Sequence, residues 1–112
     1  APWTETLLYS FTGSADGSRP VGGVVFGKNG SLYGVASRGG PAGYGTLFEL
    51  TPPTVAGGAW TETTVHTFTN GADGGYPVAP LTAGPKGALY GSTTYTGQGP
   101  AGQGTVFKLT LN

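Results

Sequence analysis

Short runs of alternating apolar and polar residues recur along the whole chain, and most contain aromatic or β-branched residues. Runs of this kind predict half-buried β-strands. Turn-forming sequences separate them, such as Ser-Ala-Asp-Gly-Ser at 14–18 and Lys-Asn-Gly at 28–30. No stretch has apolar residues at helical spacing behind a capping residue, so we predict no helix. The predicted strands are residues 4–11, 21–26, 31–37 and 46–51, followed by 61–68, 78–82, 88–94 and 105–109.

The last four predicted strands repeat the first four. Trp-Thr-Glu-Thr at 3–6 returns 57 positions later, as does Leu-Tyr-Gly at 32–34. Gly-Thr-x-Phe-x-Leu-Thr at 45–51 returns 59 positions later, so the second copy carries two additional residues. We therefore predict that residues 1–112 form a single domain of two internal repeats. These are residues 3–51 and 60–112, joined by a linker over 52–59.

Four short antiparallel strands per repeat are typical of a β-propeller blade. A blade must stack on neighbours to bury its faces, and a propeller needs about four to eight blades. Two blades do not complete a ring. We therefore predict an all-β propeller that is completed by a cyclic homo-oligomer of two to four chains, with a trimer favoured. The alternative is that the two repeats close on each other as a barrel or sandwich with internal two-fold symmetry.

The composition indicates an ordered, turn-rich protein and excludes several functions. The chain has 23 Gly and nine Pro, but its five Phe, six Tyr and two Trp recur at fixed places, unlike the aromatic-poor disordered proteins. Five basic and five acidic residues give no net charge and no basic patch for nucleic acid. No apolar run approaches the roughly 20 residues of a membrane span. Without Cys there are neither disulfides nor thiolate metal sites.

The repeated phrases resemble a known family. Trp-Thr-Glu-Thr, Tyr-Ser-Phe-Thr-Gly, Gly-x-Leu-Tyr-Gly and Gly-Thr-x-Phe-x-Leu-Thr together are similar to the GloVer tandem repeat over essentially the whole chain. That family consists of bacterial, mostly exported proteins built from many such units. The resemblance implies a propeller-like β structure on secreted or cell-surface proteins, and it carries no catalytic motif. The small number of charges and the abundance of Thr, Ser and Gly also suit an extracellular location.

The residue types that could support catalysis are better explained by structure. His66 is the single His, and Tyr9 occupies its place in the first copy, so this position accepts a ring with a polar tip. Asp16 and Asp73 form a repeat-related pair of carboxylates. Glycoside hydrolysis needs two carboxylates in different environments, however, and the Asp-Gly turn explains both residues. We therefore expect no enzyme activity, no metal site and no cofactor.

Aromatic residues that differ between the copies are the better candidates for a binding site. Proteins bind sugars by stacking the apolar face of a pyranose on an exposed ring while polar neighbours contact the hydroxyls. Tyr44, Tyr76 and Tyr95 are predicted to lie in loops, and the other copy has Gln103, Arg19 and Arg38 at these positions. The candidate ligand-binding residues are Trp3, Trp60, Tyr44, Tyr76, Tyr95 and Arg38. They predict a non-catalytic, lectin-like module for glycans; the alternative is a purely structural or adhesive surface repeat.

Overall fold

Two antiparallel β-sheets make up the fold. The computed structural model describes residues 5–27, 30–70, 74–77, 79–95 and 104–110. The first sheet contains β1 (Ser18–Phe26), β2 (Leu32–Arg38), β3 (Thr46–Thr51) and β4 (Thr61–Thr67), in chain order. In the second sheet β5 (Gly75–Pro77) and β6 (Thr82–Ala83) pair with opposite ends of β7 (Leu89–Tyr95), which also pairs with β8 (Thr105–Leu109). The predicted all-β fold with two four-stranded sheets is confirmed.

Apart from shifts of up to three residues at their ends, the predicted strands agree with the structure except in two places. No strand forms over residues 5–11, where the prediction of a strand over 4–11 is wrong. The fourth strand of the first sheet is β4 instead, which comes from the second copy of the repeat. The strand predicted over 78–82 is replaced by β5 and β6, because Pro80 lacks the N–H that a continuous ladder needs.

A short 3-10 helix lies between β6 and β7, where no helix was predicted. It covers Pro85–Gly87, and Lys86 adopts a left-handed backbone there with φ of 59°. Within the described ranges, no helix has the length and apolar character needed to cross a membrane.

The hydrophobic core lies between the two sheets. Strand alternation places Tyr33, Val35 and Leu47 on one face of the first sheet. The second sheet contributes Leu89, and Leu81 packs in the same cluster. Phe68, which follows β4 directly, joins this cluster, and its ring centroid lies 5.5 Å from that of Phe107 on β8. The residue after β4 therefore connects the first sheet to the second.

Equivalent residues in the two sheets have very different exposures. Leu47 is 2% exposed in the core, whereas its counterpart Val106 is 83% exposed. Leu81 is 3% exposed, whereas its counterpart Val24 is 48% exposed. We call the face with Val24 or Leu81 the front face of its sheet, and the face with Leu47 or Val106 the back face.

The front face of the second sheet therefore covers the back face of the first, and the sheets stack head to tail. A two-fold-symmetric barrel or sandwich would bring equivalent faces together and give equivalent residues equal exposures. The observed difference in exposure rules out that arrangement for these two sheets. The front face of the first sheet and the back face of the second point away from the shared core.

Candidate functional site

Three of the predicted binding residues form one cluster where the two sheets meet. Arg38, the exposed last residue of β2, has its guanidinium carbon 4.4 Å from the centroid of the Tyr76 ring on β5. The Tyr44 ring meets the Tyr76 ring edge-on, with centroids 5.2 Å apart and planes at 75°. Both Tyr residues are half-buried. We call Arg38, Tyr44 and Tyr76 the junction cluster.

Two hydrogen bonds fix the backbone around the junction cluster, one from β5 to the loop before β3 and one within the second sheet. The Tyr76 N–H donates to the Tyr44 carbonyl at 2.8 Å, and Thr94 Oγ1 donates to the Tyr76 carbonyl at 2.9 Å. Tyr76 has a left-handed backbone with φ of 54°, and Arg19 at the same place in the first copy has φ of 56°. Few residues other than Gly adopt this conformation. The repeat therefore sets the backbone here, while the side chain differs between copies.

The other predicted site residues lie outside the junction cluster or cannot be placed in it. Trp60 is half-buried just before β4 and takes no part in the ring contacts of the cluster. Tyr95 ends β7, where its backbone pairs with Gly75, next to Tyr76. Trp3 lies outside the described residues. The prediction that Tyr76 and Tyr95 lie in loops is wrong, because both belong to strands.

Sequence reasoning missed Asn70, which borders the junction cluster. Its side-chain oxygen is buried and accepts no hydrogen bond from a described residue. A Cβ placed on Gly75 would lie 3.1 Å from this oxygen and 3.2 Å from the Tyr44 Cβ. Asn70 has φ of 63°, and the first copy has Gly13 at this position. The exchange of Gly13 for Asn70 between the copies could have identified this residue from the sequence. Both have a left-handed backbone, and Asn is one of the few residues that tolerate it.

His66 and its first-copy counterpart Tyr9 make the same ring contact. The His66 ring packs edge-on against Phe68, with centroids 4.8 Å apart, and the Tyr9 ring packs in the same way on Phe11 at 5.0 Å. Among the described residues, no three His, Asp or Glu side chains lie close enough together to hold a metal ion.

Asp16 also has a structural environment. Its carboxylate accepts hydrogen bonds from Thr12 N at 3.0 Å, from Thr12 Oγ1 at 2.6 Å and from the Tyr9 hydroxyl. Burial alone would raise the pKa of Asp16, but these hydrogen bonds outweigh burial and lower that pKa from 3.8 to about 2. The hydrogen bond to Asp16, together with burial and the Asp16 charge, raises the pKa of Tyr9 to about 12. The buried carboxylate thus closes the turn over residues 12–17.

We expect Asp16 to make the fold sensitive to acid. Its pKa is lower in the folded chain than in the unfolded chain, so its contribution to stability is complete above about pH 4 and is lost as the pH falls towards 2. The contribution amounts to about 2 kcal/mol. Urea unfolding of Asp16→Asn from pH 7 to pH 2 should therefore lack this part of the acid destabilisation.

Thr12→Val is the matched variant, because it keeps the carboxylate and removes one donor. It should retain only part of the acid destabilisation that the unsubstituted chain shows. Glu62 contributes with the opposite sign, since burial is the main cause that raises its pKa. The quantity to compare is therefore the difference in the free energy of unfolding between each variant and the unsubstituted chain at each pH. An unchanged pH profile in Asp16→Asn would contradict the assignment.

A cavity of about 430 Å³ lies between β4 and β8. Val65 and His66 line it from β4, residues 105–109 line it from β8, and Leu47 and Phe68 complete the lining. The two sheets are in contact through β2 and β5, so they separate towards these outer strands. The cavity therefore marks a part of the first sheet that the second sheet does not cover.

Comparison with known proteins agrees with the repeated phrases in the sequence. Residues 2–112 match the family model described as the Gloeobacter/Verrucomicrobia repeat. Comparison with curated proteins and with solved structures gave no match. The family match covers nearly the whole chain and confirms the resemblance to the GloVer repeat. The chain belongs to the Gloeobacter/Verrucomicrobia repeat family.

Proposed function

We propose that the chain is a non-catalytic, carbohydrate-binding module whose site is the junction cluster. The observation that carries this proposal is that Arg38, Tyr44 and Tyr76, which are not adjacent in sequence, lie together. The exposed guanidinium has five N–H donors for ligand hydroxyls. The Tyr rings provide an apolar wall with polar tips. This is the combination of apolar surface and placed polar groups by which proteins hold sugars.

The proposal includes assembly into a ring. The front face of the first sheet, where Val24 is 48% exposed, and the back face of the second, where Val106 is 83% exposed, use the same repeat positions as the two faces that pack inside the chain. Copies that stack in this way would complete a propeller of two to four chains, with three favoured. One junction cluster per chain makes such a ring multivalent, which raises a weak affinity by about a hundredfold or more. The family and the low charge support a secreted or cell-surface location.

Arg38→Ala tests the site. The substitution removes the guanidinium donors, and hydrogen bonds to charged groups contribute about 1.5–3 kcal/mol, so binding should weaken by about tenfold or more. Stability should fall by only about 0.5–1 kcal/mol, since an exposed cation–π contact contributes no more than this. A glycan array identifies the sugar, and calorimetric titration with that sugar measures the loss.

Lys86→Gln is the charge control, because Lys86 is an exposed basic residue outside the junction cluster. It should leave binding unchanged. Equal losses in both variants would show that binding depends on net charge and not on the cluster. A folded protein that retains no glycan on the array would overturn the proposal.

A structural or adhesive repeat is the second candidate. The observation in its favour is that Tyr76 contacts Tyr44 through both backbone and ring, so the junction cluster also fastens β5 to the loop before β3. An edge-on pair of rings contributes about 0.5–1.5 kcal/mol beyond the area that it buries. If no sugar binds and Tyr44→Ala lowers the melting temperature, fastening the sheets is the sole role of the cluster.

A further inference from the structure

The second sheet has an open edge at β8. Residues 75–83, which include β5 and β6, lie 57 positions after β1 and together take its place against β7. The second sheet therefore fills only three strand positions. Among the described residues, β8 pairs with β7 alone, whereas its counterpart β3 pairs with β4 on its other side. Among the described residues, no strand of the second sheet takes the position that β4 has in the first sheet.

The counterpart of β4 is the segment of residues 4–10, which lies 57 positions earlier. Its described part, residues 5–10, pairs with no described strand, and Leu7 is 77% exposed. The segment contains two Thr residues and Tyr9, residue types that are enriched in strands. Within the described ranges, the chain therefore contains both a strand-like segment without a partner and a strand edge without a partner.

Tyr9 near the end of this segment and Phe11 just after it already make the ring contacts that are seen in the second copy. Phe11 packs on Phe48 with ring centroids 4.9 Å apart, as Phe68 packs on Phe107 at 5.5 Å. Tyr9 packs on Phe11 as His66 packs on Phe68. In the second copy these contacts follow a strand that is paired with the preceding sheet. In the first copy they follow a segment whose described part, residues 5–10, pairs with no described strand.

We propose that residues 4–10 of one copy add to β8 of a second copy as the fourth strand of its second sheet. This inference rests on the self-association proposed above. The register follows from the pairing of β3 with β4, in which Glu49 lies opposite Thr63. The equivalent pair is Lys108 opposite Thr6 of the neighbouring copy. Main-chain hydrogen bonds along β8 supply the attraction, as in other cases of strand addition.

The cavity between β4 and β8 has the location that this strand requires. In the first sheet β4 is the edge strand next to β3, and its residues Val65 and His66 line the cavity. A fourth strand beside β8 would lie on the cavity side of β8, towards Val65 and His66 of β4. The added strand would therefore fill the space beside β8 in the second sheet.

The residues at the junction also support a head-to-tail contact between copies. Within the chain, Arg38 of the first copy lies over the ring of Tyr76 of the second. Their counterparts are Tyr95 and Arg19, so the two residue types are exchanged between the positions. When a second copy of the chain stacks on the first in the same geometry, Arg19 of the second copy lies where Tyr76 lies within one chain. It is then opposite position 95 of the first copy. An Arg and a Tyr would meet at both junctions.

Disulfide trapping tests the proposed register, because the chain has no Cys of its own. Directly opposed strand residues have Cα atoms about 4.5–5.5 Å apart, which is within the range that a disulfide spans. The double variant Thr6→Cys, Lys108→Cys should form disulfide-linked multimers on oxidation. The double variant Glu49→Cys, Thr63→Cys is the matched control and should close within one chain at the mass of 11.2 kDa.

Mixing separate variants excludes random collision. Thr6→Cys mixed with Lys108→Cys should give a product of doubled mass, while Thr6→Cys mixed with Thr54→Cys, an exposed loop residue, should not. Light scattering of the unsubstituted chain should give an integer multiple of its 11.2 kDa mass.

The outcomes separate this inference from the assembly on which it rests. A monomeric mass at micromolar concentration would overturn both. An oligomer that leaves Thr6→Cys, Lys108→Cys unlinked, while the Glu49→Cys, Thr63→Cys control closes, would overturn strand addition alone. A disulfide that joins positions 6 and 108 within one chain would show that the segment folds back on its own β8, which also overturns the proposal.

Discussion

Replacing Phe68 by Ala should lower the free energy of unfolding by about 3–5 kcal/mol, the usual loss for a buried Phe. Phe68 is fully enclosed in the cluster that joins the sheets, and its ring contacts those of His66 and Phe107. Because domains of this size are stable by only about 5–15 kcal/mol, the loss removes a large part of the total. Urea unfolding followed by circular dichroism measures it.

Phe11→Ala is the matched variant, since Phe11 occupies the same repeat position and packs on Phe48. Phe11 is only half-buried in the single chain, so its replacement should cost less than that of Phe68. If copies stack head to tail, Phe11 becomes enclosed like Phe68, and the loss in Phe11→Ala should grow with protein concentration. A loss below about 1 kcal/mol in Phe68→Ala would show that the sheets do not depend on this ring.

Strand positions could be predicted where a short apolar and β-branched run lies between turn-forming residues. The sequence Thr-Leu-Phe-Glu-Leu-Thr lies between Gly45 and Pro52, and the prediction of 46–51 matches β3 at both ends. The prediction of 105–109 likewise matches β8. Comparison of the two copies also selected Arg38, Tyr44 and Tyr76, which the structure brings together. A position that changes type between copies is released from core packing, and this explains why such residues collect at the surface of the junction.

The long-range partners of the strands could not be predicted from local pattern. Trp-Thr-Glu-Thr occurs at both 3–6 and 60–63, yet only the second occurrence leads into a strand paired with β3. Alternation states that a segment can be a strand and carries no information on which sheet it joins. The strand β5 was missed for another reason. Gly-Gly-Tyr-Pro is typical of a turn, and nothing in it shows that Tyr76 pairs across a left-handed backbone.

Gly45→Ala should destabilise the fold by about 3–5 kcal/mol, because two unfavourable effects combine at this residue. Its φ of 98° is one that Ala adopts only at a cost of about 1–2 kcal/mol. A Cβ at Gly45 would also lie 2.5 Å from the Ala36 carbonyl oxygen and 2.8 Å from Pro77 Cδ. Both contacts are shorter than van der Waals separation, so either β2 or β5 must shift, which typically adds a cost of about 1–3 kcal/mol. Gly104 repeats this geometry, with φ of 103° and a Cβ position 2.4 Å from the Thr93 carbonyl oxygen.

Gly43→Ala separates the two effects, because Gly43 shares the left-handed backbone but has open space around its Cβ position. Its φ is 84°, and no described atom lies within 4 Å of a Cβ placed there. Urea unfolding should therefore show only the backbone cost of about 1–2 kcal/mol in Gly43→Ala. The difference between the two variants measures the close approach of Gly45 to Ala36 and Pro77, which lie in different sheets. Equal losses of unfolding free energy in the two variants would mean that the sheets move apart to make room for the methyl group that Gly45→Ala adds. The head-to-tail stacking would then tolerate a wider spacing than the structure shows.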